Sequence, residues 1–235
     1  MKKTISKINQ FLIKNFGVPP RANKLPKPID LLIATILSQN TNDNNSYKAY
    51  QNLIKRFPTW DEVRVARRTS IEKEIKIAGL GYQKSKAIKN LLTKLHEKEK
   101  SFSLNKVKKA SSTEAIEYLT SFKGIGVKTA SCVLLFALDR DVCPVDTHVH
   151  RTLNRIGLVK TNSPDKTFLQ INENFPSGIA HSFHTNLIRL GREICTPSNY
   201  KCENCPVLKI CKFEDKLFGN NSLNSKKAFM LLDSI

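Results

Sequence analysis

The stretch "SFKGIGVKTASCVLL" runs from Ser121 to Leu135. Gly124 and Gly126 flank a single isoleucine, Lys128 follows two residues after the second glycine, and the chain then turns apolar. Upstream, Leu119 and Phe122 stand three apart. Downstream, Ala130 and Val133 resume an apolar face, so a helix is predicted on each side. Glycine has no Cβ, which permits a tight turn and close approach by another backbone. The pattern predicts a helix-hairpin-helix. Its glycines leave N–H groups without helical partners at the start of the second helix, where a phosphate can bind. An ordinary turn between helices would use the same residues; the charge of the whole chain favours the phosphate. Lys128 falls in the first turn of the second helix. The positive end of the helix dipole disfavours a cation there, so its amine holds a proton less tightly, as a nucleophilic lysine requires. The simpler role for such a lysine is to grip a backbone phosphate.

The charge is unbalanced. Among 235 residues, 39 are Lys or Arg and 20 are acidic, a formal net charge of +19. That surplus points to a polyanionic partner, nucleic acid before an anionic membrane surface. The start, "MKKTISKINQFLIKNF", lacks the continuous apolar run of a signal peptide. Its Ile5, Ile8, Leu12 and Phe16 recur every three or four positions, as in an amphipathic helix. No segment is apolar for long enough to span a membrane. The expectation is an intracellular protein, cytoplasmic and nucleoid-associated if prokaryotic. Disulfides are rare in that compartment, so the six cysteines need another explanation.

Helical periods dominate the rest. "PIDLLIATILSQNT" reads as a buried helix opening at Pro28 to Asp30, and "NNSYKAYQNLIKRFP" as a helix stopping before Pro58. "TSIEKEIKIAGLGYQKSKAIKNLLTKLHEK" reads as two helices broken at "GLG". "DTHVHRTLNRIGLV" starts on Asp146 as N-cap and closes near Gly157, and "IAHSFHTNLIRLGREIC" is the last long helix. No alternating run or hairpin turn marks a strand. The fold class is all-α. The tail from about Phe213 is polar and basic and is expected to be loosely ordered.

Asp146 has two compatible roles. One is the N-cap, among the commonest uses of aspartate. The other is a carboxylate facing the Lys128 amine, or supporting positive charge at a reacting carbon. His148 and His150 carry no ligand signature and read as packing or DNA-proximal residues. "CTPSNYKCENCPVLKIC" places Cys195, Cys202, Cys205 and Cys211 in a C-x6-C-x2-C-x5-C array. Four thiols so close together indicate a metal centre. Zinc and an iron–sulfur cluster both accept four thiolates, and spacing alone does not choose between them. Cys132 reads as core, and Cys143 has no visible partner. His181 and His184 read as packing or hydrogen-bonding groups, since four cysteines already close a site.

The hairpin "FKGIGVKTA", then "VDTHVHR" about twenty residues later, then the cysteine array, in that order, resemble the endonuclease III family of DNA glycosylases. The resemblance runs in register from about Pro28 to Cys211. It implies a [4Fe–4S] cluster on the four cysteines, Lys128 as the nucleophile and Asp146 as its partner. It also implies two lobes. A six-helix lobe carrying the hairpin would span 24–140, and residues 1–23 with 141–213 would form an iron–sulfur lobe, leaving 214–235 as tail. The implied activity is that of a bifunctional glycosylase and abasic-site lyase in base excision repair, acting as a monomer on damaged or mismatched pyrimidines in duplex DNA. Backbone contacts would come from Lys123, Gly124 and Gly126.

Two stretches depart from the best-known bacterial pattern. In "LSQNTND", Gln39 and Asn40 stand where those enzymes carry a glutamine that fills the space left by an extruded base; Asn40 aligns with it. In "AGLGYQKSKA" there are extra residues around the wedge that enters the base stack, with Leu80 and Tyr82 as candidates. The hairpin also resembles that of plant 5-methylcytosine glycosylases. Two rival readings are a monofunctional mismatch glycosylase of the same superfamily and a non-catalytic DNA-binding protein with a structural metal. Lys128 argues against the first, and the Lys128–Asp146 pair against the second.

Overall fold

The structure, a computed structural model, describes residues 1–218. Among the described residues there are twelve α-helices and no strand. No helix there is long and apolar enough to cross a membrane. The described residues divide into two compact units, one formed by Ala22–Asp139 and the other by Met1–Arg21 with 140–218. Helix α1 (Lys2–Phe16) opens the second of these.

The Ala22–Asp139 unit contains eight helices: α2 (Pro28–Ser38), α3 (Asp43–Arg56), α4 (Trp60–Val65), α5 (Arg68–Ile75), α6 (Gly81–Glu99), α7 (Asn105–Lys109), α8 (Ser112–Thr120) and α9 (Val127–Leu138). Helices α2 and α9 are apolar nearly all round, which suits only a buried helix. They pack on each other, and α2 also meets α3 and α6. Leu32, Ile33, Leu37, Val133 and Leu134 are fully buried there, each stabilising the fold by about 1.5–3 kcal/mol. Side chains define the helix starts. Asn42 accepts from the Asn45 N–H for α3, Thr59 from the Glu62 N–H for α4, and Ser111 forms a reciprocal capping box with Glu114 for α8. The expected break at "GLG" is a 3₁₀ turn over Lys76–Ala78, followed by Gly79 (φ 70°) and Leu80 (φ 50°). Helices α4 and α7 were not expected from the sequence; at six and five residues they are too short to show a period.

The other unit holds α1, α10 (Thr147–Ile156), α11 (Pro164–Asn172) and α12 (Ala180–Arg189). Ile5, Ile8 and Leu12 bury one face of α1 against α12. Polar groups of α12 then close the end of α1. Arg189 donates to the Phe16 carbonyl at 3.0 Å with its guanidinium over the Phe16 ring, and Asn186 donates to the Gly17 carbonyl at 3.0 Å. A cation at a helix C-terminus is favourable. Helix α12 runs on as one π turn, Leu190–Ile194, and delivers Cys195. Of the tail expected to be loose, residues 214–217 are tied down: the Tyr200 hydroxyl donates to the Asp215 carbonyl at 2.6 Å and the Cys202 N–H to the Leu217 carbonyl at 3.2 Å. The remainder of that expectation, 219–235, lies outside the described residues.

Candidate functional site

In the Ala22–Asp139 unit, Phe122 and Ile125 are buried under the turn between α8 and α9, while Lys123, Gly124 and Gly126 face outward. The two glycines differ. Gly124 has φ 93°, and a Cβ there would lie 3.0 Å from the Ala87 Cβ, so it is required by the fold itself. Gly126 is the N-cap of α9 at an ordinary φ of −98°, and a Cβ on it would meet nothing within 4 Å. No side chain caps α9, which leaves its first turn as the anion-binding end of a helix. Lys128 is the second residue of α9 and is half-buried.

Gln39 and Asn40 separate clearly. Gln39 is half-buried, and its amide donates to the Gly124 carbonyl and the Thr129 hydroxyl, both at 3.3 Å. It therefore braces the end of α2 against the hairpin, next to Lys128. Asn40 is exposed, with a left-handed backbone at φ 50°. Leu80 and Tyr82 separate as well. Leu80 is 46% exposed and also left-handed, a conformation that L-leucine adopts at a cost. The Tyr82 ring lies under the Arg68 guanidinium at 4.4 Å, and Arg68 is itself bonded to Glu72 and Ser85.

Between these loops lies a residue that the sequence reading missed. Lys84 is 2% exposed, and its ammonium donates to the Leu37 carbonyl at 2.7 Å and the Ala78 carbonyl at 2.8 Å. The Leu37 carbonyl belongs to the last turn of α2, where no intrahelical donor reaches it. A buried acceptor left unpaired costs about 1–3 kcal/mol. Burial pulls the Lys84 pKa down to about 8. The available signal was periodicity: Lys84 shares the buried face of α6 with Ile88, Leu91 and Leu95.

In the other unit, Asp146 caps α10. Its Oδ1 accepts from the Val149 N–H at 2.8 Å. The approach to it is fixed by side chains. Asn172 accepts from the Cys143 N–H at 2.7 Å and donates to the Cys143 carbonyl at 3.0 Å, and buried His184 donates from Nδ1 to the Pro144 carbonyl at 2.9 Å. His148 and His150 pair locally, with Arg151 and with Thr167 and Asn154 respectively. Burial lowers the His148 pKa, opposed by the Asp146 charge.

All four cysteines of the array line one apolar pocket beside α10. Among the described residues, no three His, Cys, Asp or Glu side chains converge on a position for a single ion. Two arginines of α10 hold the first of these cysteines: Arg151 donates to the Gly191 and Cys195 carbonyls, and Arg155 to the Cys195 Sγ (3.5 Å) and the Thr196 carbonyl (2.6 Å). The Arg155 guanidinium also lies against the Tyr200 and Phe213 rings. Burial raises the Cys195 thiol, opposed by Arg155, and pushes Cys205 up to about 12. Thiols so buried favour the neutral form until a cationic centre offsets the cost.

Comparison with known proteins finds the same pattern. The family described as HhH-GPD superfamily base excision DNA repair protein matches residues 33–177. Endonuclease III of Thermotoga maritima is 32% identical over 209 residues, 89% of this chain and 92% of that protein. An Arabidopsis thaliana protein carrying a DNA glycosylase name is 37% identical over 169 residues, 72% of this chain; the match spans 57% of that longer relative. A trapped covalent intermediate of endonuclease III with DNA superimposes with a TM-score of 0.74 at 25% identity, covering 90% of this chain and 96% of that one.

Proposed function

Because the chain belongs to the HhH-GPD superfamily of base excision DNA repair proteins and is endonuclease III-like, we propose that it is a bifunctional DNA glycosylase and abasic-site lyase acting on damaged or mismatched pyrimidines. The observation that carries this reading is a lysine, Lys128, in the first turn of a hairpin helix that no side chain caps. Similarity to an endonuclease III trapped covalently on DNA supports it.

The target base lies inside a duplex and must be turned out before chemistry can reach it. The hairpin amides hold the phosphate backbone, with Lys123 adding charge. Both candidates are exposed, Leu80 at 46% and Tyr82 at 51%; Leu80 is the wedge, because the Tyr82 ring is already engaged by the Arg68 guanidinium. Asn40 enters the vacated space, because the Gln39 amide is committed to the hairpin. The Lys128 amine attacks C1′, the glycosidic bond breaks, and the base leaves with its electron pair. Asp146 supports the positive charge that develops on the sugar. The C1′–O4′ bond then opens, O4′ taking up a proton as the nitrogen gives one up, and the Schiff base so formed allows loss of a C2′ proton and cleavage of the C3′–O bond, which cuts the strand 3′ to the lesion. A panel of lesion-bearing duplexes tests the whole reading. Tight binding with neither base release nor nicking on any of them would leave a DNA-binding module only.

Backbone approach at the hairpin has its own test. Gly126→Ala places a methyl in open space at a permitted φ, so the fold should lose no more than about 1 kcal/mol. Affinity for duplex DNA should nevertheless drop about tenfold or more, since a hydrogen bond to a charged group is worth about 1.5–3 kcal/mol. Unchanged affinity in a fluorescence anisotropy titration at fixed salt would reduce the hairpin to a structural turn.

The residues of the cysteine array fit a [4Fe–4S] cluster. Cys195, Cys202, Cys205 and Cys211 supply four soft ligands lining one apolar pocket. When bound, the cluster would supply cross-links among segments whose regular structure is limited to 3₁₀ turns. Purified protein should be brown and hold about four irons per chain. Cys202→Ser should lower both iron content and the thermal midpoint. A colourless, anaerobically purified protein with one zinc and no iron would overturn this assignment.

A further inference from the structure

Leu80 sits between two contacts made by one residue. The Lys84 N–H donates to the Leu80 carbonyl at 3.0 Å, and the Lys84 ammonium donates to the Ala78 carbonyl at 2.8 Å. Those two bonds bracket Gly79 and Leu80. The ammonium's second bond, 2.7 Å to the Leu37 carbonyl, joins this bracket to the end of α2. Two residues further along, Gln39 carries the connection to the hairpin through Gly124 and Thr129. Leu80 and Asn40 both have φ 50° and exposed side chains, so packing of those side chains does not hold their backbones. Backbones in such sparsely populated conformations persist only where the surroundings over-determine them. Lys84 is the buried group that ties the Leu80 turn to the end of α2, from which the Gln39–Asn40 loop leaves.

We propose that Lys84 is a positioning residue for base extrusion: its buried ammonium, bridging the Leu37 and Ala78 carbonyls, holds the Leu80 loop and the Gln39–Asn40 loop in the one arrangement that a turned-out base requires. The proposal rests on the reading of the chain as a base-extruding glycosylase. A flexible wedge would have to be ordered at the moment of extrusion, and that ordering would be taken from the rate. A damaged base must be unstacked, whereas an abasic site has no base to unstack. Loss of the Lys84 bridge therefore separates two activities of the same protein. A lysine that only stabilised the end of α2 would affect both alike.

The test uses Lys84→Met, which conserves volume and removes both side-chain bonds, and Lys84→Gln, which retains donors at shorter reach in case the first variant does not fold. Each is assayed in single turnover, below its melting midpoint, on a duplex carrying 5-hydroxycytosine and on the same duplex carrying a preformed abasic site. Base excision should fall roughly ten- to a hundredfold, the scale set by a small misplacement of reacting groups. Cleavage and borohydride trapping at the abasic site should stay within about twofold, because that substrate has least to extrude. A 2-aminopurine reporter next to the lesion should show correspondingly less unstacking. If both activities fall together, or neither falls, in whichever variant folds, Lys84 is structural only. Wild-type protein that excises no pyrimidine lesion from the panel would instead defeat the parent reading, and this inference with it.

Discussion

Lys128→Ala should abolish covalent trapping on abasic DNA, with the borohydride-reduced adduct falling to background. The substitution is mild for the fold. Lys128 is half-buried in the first turn of α9, and alanine is the best helix former, so the helix loses nothing intrinsic. The amine is what disappears, and with it the only nitrogen in the hairpin helix's first turn able to form a Schiff base. Other lysines of the unit are poor substitutes for physical reasons. The Lys84 ammonium is 2% exposed and bonded to two carbonyls, and Lys123 lies in the turn, ahead of the helix. DNA affinity should persist, because the hairpin amides and the net charge of +19 remain almost unaltered. A Lys128→Ala protein that trapped at the wild-type level would place the nucleophile elsewhere.

What was legible in the sequence was local. The hairpin showed itself because two glycines interrupt two apolar periods, and Asp146 because a cap bonds to a residue three positions on. The family followed from the order of these pieces and the cysteine spacing. Ties between distant segments left no such mark. Lys84 meets Leu37 across 47 positions and Gln39 meets Thr129 across 90. In both cases a polar side chain serves a backbone or hydroxyl group that sequence periodicity does not reveal. Asn172 on Cys143 and Arg155 on Cys195 were hidden in the same way. Lysine is rarely buried, so a lysine on the apolar face of α6 is easily read as surface. The choices between Gln39 and Asn40, and between Leu80 and Tyr82, needed coordinates because each pair differs only in which side chain is already engaged.

Asp146→Asn should leave a folded protein that binds DNA and turns over about a hundred- to a thousandfold more slowly, the range for removing one preorganised electrostatic partner. Asparagine caps helices as well as aspartate does, so its Oδ1 can still accept from the Val149 N–H. The approach to position 146 remains held by Asn172 and His184, which the substitution does not touch. The loss of favourable interaction with the α10 dipole is about 0.3–1 kcal/mol, too little to unfold a domain. What goes is the negative charge that the proposed mechanism uses to support the cationic sugar as the base departs. Asp146→Ala provides the contrast, since it removes the cap as well and should cost a further 0.5–2 kcal/mol or so of stability. If the two variants lose turnover alike in single-turnover excision while only the alanine lowers the melting midpoint, charge and cap are separate duties of one side chain. Full turnover by Asp146→Asn would leave the residue as a cap alone, and the cation would have to be stabilised by another group.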